Sequence, residues 1–192
     1  AGTGLLALML AQRSDAMTID AVEIDESAYI ECTENFEASP WSYRLFCYHA
    51  SFEEFFTEMD EPYDLIISNP PFYPTDYKTP EKARNTARFS DALPPEQLLE
   101  GVNRLLAVEG KFSVILPYTE SERFITLAAT FGLFPQQITH TRGNAQSELK
   151  RSMMLFAHAP QPSYPIDILT IEKERGVYTK AYKALTKEFY LK

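Results

Sequence analysis

Asp64-Leu65-Ile66-Ile67-Ser68-Asn69-Pro70-Pro71-Phe72 is the stretch on which the fold of this chain turns. An apolar run of strand type, from Tyr63 to Ser68, stops abruptly at two prolines. Proline holds φ at about −65° and carries no N–H, and the residue before a proline is kept extended. Asn69-Pro70-Pro71 is therefore a stiff bracket at the tip of a strand, where open α/β sheets bind their ligands. The side-chain oxygen of Asn69 accepts one hydrogen bond, and the carbonyl of Pro70 a second. Two such acceptors suit an amino group whose lone pair is delocalised into a flat ring. Accepting both N–H hydrogens favours a pyramidal nitrogen with a localised pair, ready to take a methyl group. Phe72 adds a ring face on which the flat group can stack, worth about 1–3 kcal/mol for a base. Asn and Pro also make ordinary turns, but a turn alone calls for neither the preceding strand nor the following aromatic.

The 192 residues are 45% hydrophobic and 13% aromatic, which suits a single domain, 1–192, with a sizeable core. No apolar run has the length of a membrane helix, and no signal peptide is visible. Cys32 and Cys47 lack metal or disulfide spacing and read as reduced core thiols of a cytoplasmic protein, with no metal. The net charge of −9 is unevenly spread: residues 1–141 carry a balance of −13 and residues 142–192 one of +4. Within the acidic part, Lys78, Lys82, Arg84 and Arg88 face only Glu81, directly after the bracket. Together with Arg142, Lys150 and Arg151 they are the candidates for gripping phosphate.

Ala1-Gly2-Thr3-Gly4 before Leu5–Leu10 reads as a glycine turn entering a helix, a place where backbone can approach a ligand. Thr18–Ile24 reads as a strand, with Glu23 near its end at a spacing from Gly4 that places an acidic side chain on a ribose in dinucleotide-type folds. Asp25 caps the helix expected over 26–38, and Pro40 closes that segment. A strand is expected over Tyr43–Tyr48, with His49 as a strand-end residue rather than a base. Residues 73–93 read as a long loop rich in Pro, Thr, Lys and Arg, of a length that tends to be functional or disordered. A helix follows from Pro94 to about Ala107, stopped by Gly110, then a strand over Lys111–Leu116 and a helix over Thr119–Thr130 that ends near Gly132. Phe134–Arg142 and Arg151–His158 read as an antiparallel hairpin at the sheet edge. The tail has a strand-like run at Ile166–Ile171 and a helix-like one at Thr179–Lys187.

Asn69-Pro70-Pro71-Phe72 resembles motif IV of the amino-group methyltransferases that use S-adenosylmethionine. The glycine turn resembles the end of their motif I, which implies that a first strand precedes residue 1 and is missing here. Arg142-Gly143-Asn144, Lys150-Arg151 and the run Tyr182…Leu185-Thr186…Phe189-Tyr190-Leu191 narrow the match. Over nearly its whole length the chain resembles the bacterial valine-tRNA adenine-N(6) methyltransferases. The resemblance implies an α/β, Rossmann-like class I methyltransferase fold, its mostly parallel sheet finishing in a C-terminal antiparallel hairpin. It implies S-adenosylmethionine as cofactor, tRNA as partner, and methylation of the 6-amino group of the adenine beside the anticodon. By the same resemblance Asn69, Pro70 and Pro71 bracket the amino group and Phe72 stacks on the base. Gly2 and Gly4 line the methionine and ribose side of the cofactor, and Glu23 holds its ribose. Members usually carry an acidic residue for the cofactor adenine where this chain has Ser51, a departure that a hydroxyl or a water would have to fill. Phe52 would pack on that adenine, or else serve as a core aromatic. The nearest rivals are a guanine-N2 methyltransferase of ribosomal RNA and a glutamine methyltransferase of release factors, the latter more often with Tyr after the prolines. A non-catalytic RNA-binding scaffold is the rival of another class, and the intact bracket beside a ribose carboxylate argues against it.

Overall fold

Glycine opens the first of two compact units, Ala1–Asp60 and Glu61–Lys192, in the computed structural model of this chain, which describes residues 1–71 and 93–189. Gly4 stands at φ 78° and leads into α1 (Leu5–Arg13), a left-handed entry that costs glycine no Cβ clash. A strand β1 (Ile19–Glu23) and a strand β2 (Leu45–His49) pair in parallel, from Ile19 opposite Leu45 to Glu23 opposite His49. Between them runs α2 (Glu26–Glu37), capped as expected by Asp25, whose carboxylate accepts from the Ala28 amide at 2.9 Å. Ala7 and Ala11 of α1, Ile19 and Ala21 of β1, Cys32 and Phe36 of α2, and Leu45 of β2 form the core of this unit.

The strand expected from Tyr43 begins two residues later, because Ser42–Arg44 curl into a 3-10 turn. The cause lies in Arg44, a buried charge. Its Nη2 donates to the Ala11 carbonyl at 2.6 Å, and its Nη1 to those of Ser14 at 2.9 Å and Ala16 at 2.7 Å. A helix end leaves its last carbonyls without intrahelical partners, and one guanidinium gathers those around the end of α1. A second difference is a helix the reading did not place, α3 (Phe52–Glu58), which buries Phe55 and Phe56. It starts in a capping box: Ser51 Oγ accepts from the Glu54 amide at 3.1 Å while Glu54 Oε2 accepts from the Ser51 amide at 2.8 Å. The Ser-x-x-Glu pattern at 51–54 is the sequence signal for it.

The second unit carries a five-stranded sheet of β3 (Tyr63–Ser68), β4 (Leu106–Pro117), β5 (Phe134–Arg142), β6 (Arg151–Ala157) and β7 (Ile166–Thr170), in the order β3-β4-β6-β5-β7. β3 runs parallel to β4 and β7 parallel to β5, while β6 is antiparallel to both of its neighbours. Alternate residues Phe112, Val114 and Leu116 of β4 are buried, opposite Phe156, Met154 and Ser152 of β6. The helix α4 (Pro95–Leu105) buries Leu98, Leu99, Val102 and Leu105, the spacing of one helical face. α5 (Ser121–Thr130) adds Phe124, whose ring meets Phe156 at 5.8 Å. It ends as expected near Gly132, at φ 72°, where the Gly132 amide donates to Ala129 and the Leu133 amide to Ala128.

Gly110 is not the stop for α4, which ends at Leu105; it lies inside β4. A Cβ there would stand 2.9 Å from the carbonyl oxygens of both Tyr63 and Ala107, so the two strands approach only because the side chain is absent. The hairpin β5–β6 forms, but β6 is an inner strand and β7 covers the outer side of β5, so the tail rather than the hairpin completes the sheet. Beyond it β8 (Glu172–Glu174) pairs with β9 (Val177–Tyr178), and α6 (Lys180–Thr186) starts at Thr179, which accepts from the Tyr182 amide at 3.2 Å.

Replacing Arg44 with alanine removes three charged hydrogen bonds at a buried site and strands their carbonyls. Arg44→Ala is expected to lower stability by roughly 3 kcal/mol, and Arg44→Lys to recover only part of it for want of the fork. Denaturant unfolding at neutral pH measures both.

Candidate active site

The β3–β4 ladder reaches Ser68 opposite Val114 and goes no further. Asn69 then stands exposed, Pro70 buried and Pro71 exposed. The bracket is thus anchored by one proline ring while the amide before it faces outward. Phe72, Lys78, Lys82, Arg84 and Arg88 lie outside the described residues.

The register brings further predicted residues to the same end of the five-stranded sheet. Pro117, at the end of β4, pairs with Arg151, which pairs with Thr141. Lys150 and Arg151 are exposed there. Arg142 has partners within the protein: its Nε donates to Thr170 Oγ1 at 3.0 Å and its Nη1 to the Ala145 carbonyl at 3.1 Å. These bonds hold the 143–150 loop against β7. Asn144 in that loop closes a local turn, its Oδ1 accepting from the Gln146 amide at 3.0 Å.

The predicted cofactor residues gather within the first unit, at the carboxyl end of the β1–β2 pair. The Gly2 amide donates to Glu23 Oε2 at 2.6 Å and the Asp25 amide to Oε1 at 2.9 Å. One carboxylate therefore ties the glycine turn to the end of β1. With about four lone-pair positions, it keeps acceptor capacity on Oε1. A Cβ on Gly4 would stand 2.5 Å from Phe36 and 2.8 Å from Cys32, whereas one on Gly2 would meet nothing within 4 Å. Gly4 is thus a packing requirement, and Gly2 is not.

Ser51 and Phe52 follow β2 at the same end. The Ser51 hydroxyl donates to Glu54 Oε2 at 2.8 Å and already accepts once from the Glu54 amide. One lone pair remains to accept a donor, and Glu54 is a carboxylate beside it that the reading missed. Phe52 is half-buried, its ring 5.4 Å from that of Phe56 in an edge-on contact. His49 stacks on Tyr29 with centroids 5.0 Å apart, its Nε2 3.2 Å from the Ile24 carbonyl, a strand-end packing role. Among the described residues no group of three His, Cys, Asp or Glu is placed to hold a metal, and no helix is long and apolar enough to cross a membrane.

Burial pushes the Glu23 carboxyl up, but the hydrogen bonds it accepts, those of the Asp25 and Gly2 amides among them, outweigh it and leave its pKa lowered. A carboxyl with a folded pKa below its unfolded one stabilises fully above the unfolded value and loses that contribution as pH falls through the folded one. Stability is therefore expected to decline below about pH 5, and Glu23→Gln to flatten that part of the profile. Unfolding followed between neutral pH and pH about 3 checks this.

The family described as methyltransferase small domain matches residues 1–115. The chain is 57% identical over 192 residues to the tRNA1(Val) (adenine(37)-N6)-methyltransferase of Flavobacterium psychrophilum, covering 100% of this chain and 82% of that protein. It is 52% identical to the protein of the same name from Flavobacterium johnsoniae, again over 100% of this chain and 82% of the relative. Of solved structures, a predicted O-methyltransferase from Agrobacterium tumefaciens shares the fold with a TM-score of 0.70 at 15% identity, over 97% of this chain and 85% of that one. The methyltransferase of Pyrococcus furiosus does so with a TM-score of 0.59 at 20% identity, over 82% and 72%. The chain belongs to the methyltransferase small-domain family and, within it, to the family of the tRNA1(Val) (adenine(37)-N6)-methyltransferases.

Proposed function

We propose that this protein transfers a methyl group from S-adenosylmethionine to the 6-amino group of adenine 37, beside the anticodon, in valine tRNA. The observation that carries the reading is the Asn69 amide, exposed at the tip of β3 and backed by the buried ring of Pro70. The family supplies the substrate, and the placement of Gly2, Glu23, Ser51 and Phe52 at one end of the β1–β2 pair supports the cofactor. The reading takes residues 1–192 as one methyltransferase domain acting in the cytoplasm.

The residues present fit that cofactor. Glu23 retains an acceptor position for a ribose hydroxyl. Ser51 keeps one lone pair for an adenine amino group, with Phe52 beside it as an apolar wall. Bound there, S-adenosylmethionine supplies an electrophilic methyl on a sulfonium that needs no activation by the protein. What the chain contributes is position. Asn69 Oδ1 and the Pro70 carbonyl accept the two amino hydrogens of the target base and localise its lone pair. Phe72 holds the ring plane. Once the methyl has arrived, the extra proton is acidic and leaves through those acceptors to water. No strong general base is required, in keeping with His49 being occupied in packing. Lys150 and Arg151 remain available for phosphate, helped by Lys78, Lys82, Arg84 and Arg88, while Arg142 serves by shaping the loop that presents them.

Asn69→Ala is expected to slow single-turnover methyl transfer by about a hundred-fold or more, the scale for losing one preorganised hydrogen-bonding group. Its affinity for S-adenosylhomocysteine should stay near wild type. Glu23→Ala should instead weaken S-adenosylhomocysteine by about ten-fold to a hundred-fold, the worth of a charged acceptor, as read by calorimetry. An Asn69→Ala enzyme at full rate would sink the acceptor mechanism. For the substrate, nucleoside mass spectrometry of tRNA from cells with and without the gene should show N6-methyladenosine beside the valine anticodon only in the former. Equal levels in both would overturn the assignment.

A further inference from the structure

We propose that Tyr118 is a stacking platform for a nucleotide flanking the target adenine, with Lys150 and Arg151 taking the phosphates beside it. The proposal rests on the tRNA reading above and extends it to residues outside the bracket. Tyr118 is the first residue beyond β4, in a short 3-10 turn, and its side chain is 39% exposed. Its amide donates to the Lys150 carbonyl at 3.0 Å, and its own carbonyl accepts from Ser121 Oγ at 2.6 Å. Backbone hydrogen bonds thus place the aromatic directly beside the two exposed cations.

The ring is held as well as placed. It meets His140 edge to face, with centroids 4.9 Å apart and planes at 88°, a favoured geometry for aromatic pairs. His140 Nδ1 lies 2.8 Å from Ser152 Oγ, and Ser152 is fully buried on β6. A buried hydroxyl needs a partner, and here it anchors the imidazole that orients the tyrosine. An apolar side chain at position 152 would serve the core as well; a serine aimed at His140 serves the ring above it.

The register sets the distance. Asn69 follows Ser68, which pairs with Val114 on the adjacent strand, so Tyr118 begins about 10 Å farther along β4. That separation is too large for both groups to hold one base and suits a neighbour of the base held at Asn69. An aromatic face flanked by cations is how single-stranded nucleic acid is gripped, and loop nucleotides are the ones that can be splayed onto such a face.

The test uses an anticodon stem-loop of valine tRNA with 2-aminopurine on one or the other side of the target adenine. It is titrated with the full chain; stacking on an aromatic quenches the probe. Wild type is expected to bind, to quench one of the two probes and to methylate the unlabelled tRNA. Tyr118→Ala should bind about five-fold to a hundred-fold more weakly, the range for one lost stacking contact, and lose the quench, with the salt slope as in wild type. Tyr118→Phe should stay within about two-fold in affinity, because the stacking face survives. Tyr118→Leu, which keeps apolar bulk but no ring, should behave as the alanine variant does and covers the case of misfolding in the latter. Lys150→Ala and Arg151→Ala should each flatten the salt slope by about one unit and keep the quench. His140→Ala should retain Tyr118 yet lose part of the quench, a readout that a purely structural role would not move. Unaltered S-adenosylhomocysteine affinity controls for folding. If wild type methylates tRNA but both Tyr118→Ala and Tyr118→Leu bind and quench as it does, the platform is wrong while the function stands. If wild type neither binds nor methylates tRNA, both readings fall together.

Discussion

Pro70 and Pro71 have no N–H to give a neighbouring strand, and the site in the second unit depends on that lack. β3 keeps its parallel ladder with β4 up to Ser68 and must leave it at Asn69. Beyond the ladder the Asn69 side chain stands exposed, while the Pro70 ring behind it is buried. The same parallel pairing demands a crossover between β3 and β4. That crossover ends in α4, whose buried face of Leu98, Leu99, Val102 and Leu105 helps build the core under the sheet.

In the first unit the corresponding economy is a single carboxylate. Glu23 gathers the amides of Gly2 and Asp25 and so fixes both the glycine turn and the start of α2 relative to β1. Gly4 completes the arrangement from below, where Phe36 and Cys32 leave no room for a Cβ. A residue that would hold a ribose is thereby also a structural clasp. Replacing it tests two roles at once, which acid unfolding and ligand affinity separate.

Charge in the second unit is put to two different uses. Arg142 and Arg151 end one strand and begin the next, yet the first is turned inward to Thr170 and Ala145 while the second stays in solvent. The two flank one loop, which the inward arginine holds through the Ala145 carbonyl, with Lys150 and Arg151 exposed at its far end. Tyr118 shares that position through its backbone bond to Lys150. This edge sets an aromatic placed by its backbone beside two exposed cations, on a chain whose net charge is −9.

Local chemistry determined much of this protein from the sequence by itself. Tyr63–Ser68 reads as a strand because β-branched and apolar residues run up to two prolines, and β3 has those bounds. Asp25 caps α2, and Gly132 ends α5, because both choices are settled within a few residues of backbone. Ser51–Glu54 was equally local, a capping box hidden behind a cofactor role assigned to its first residue. What only the tertiary structure decided are contacts between residues far apart in the chain. Arg44 shortens its strand to reach carbonyls some thirty positions earlier, at Ala11 and Ser14. Gly110 lies in a strand because the Tyr63 carbonyl comes against it, and β7 adds itself outside a hairpin that looked terminal. His140, Ser152 and Tyr118 meet only once three strands have taken their register. Periodicity and turn residues report the conformation of neighbours; which distant carbonyl, ring or hydroxyl arrives beside them is set by how the strands are ordered, and no local propensity encodes that.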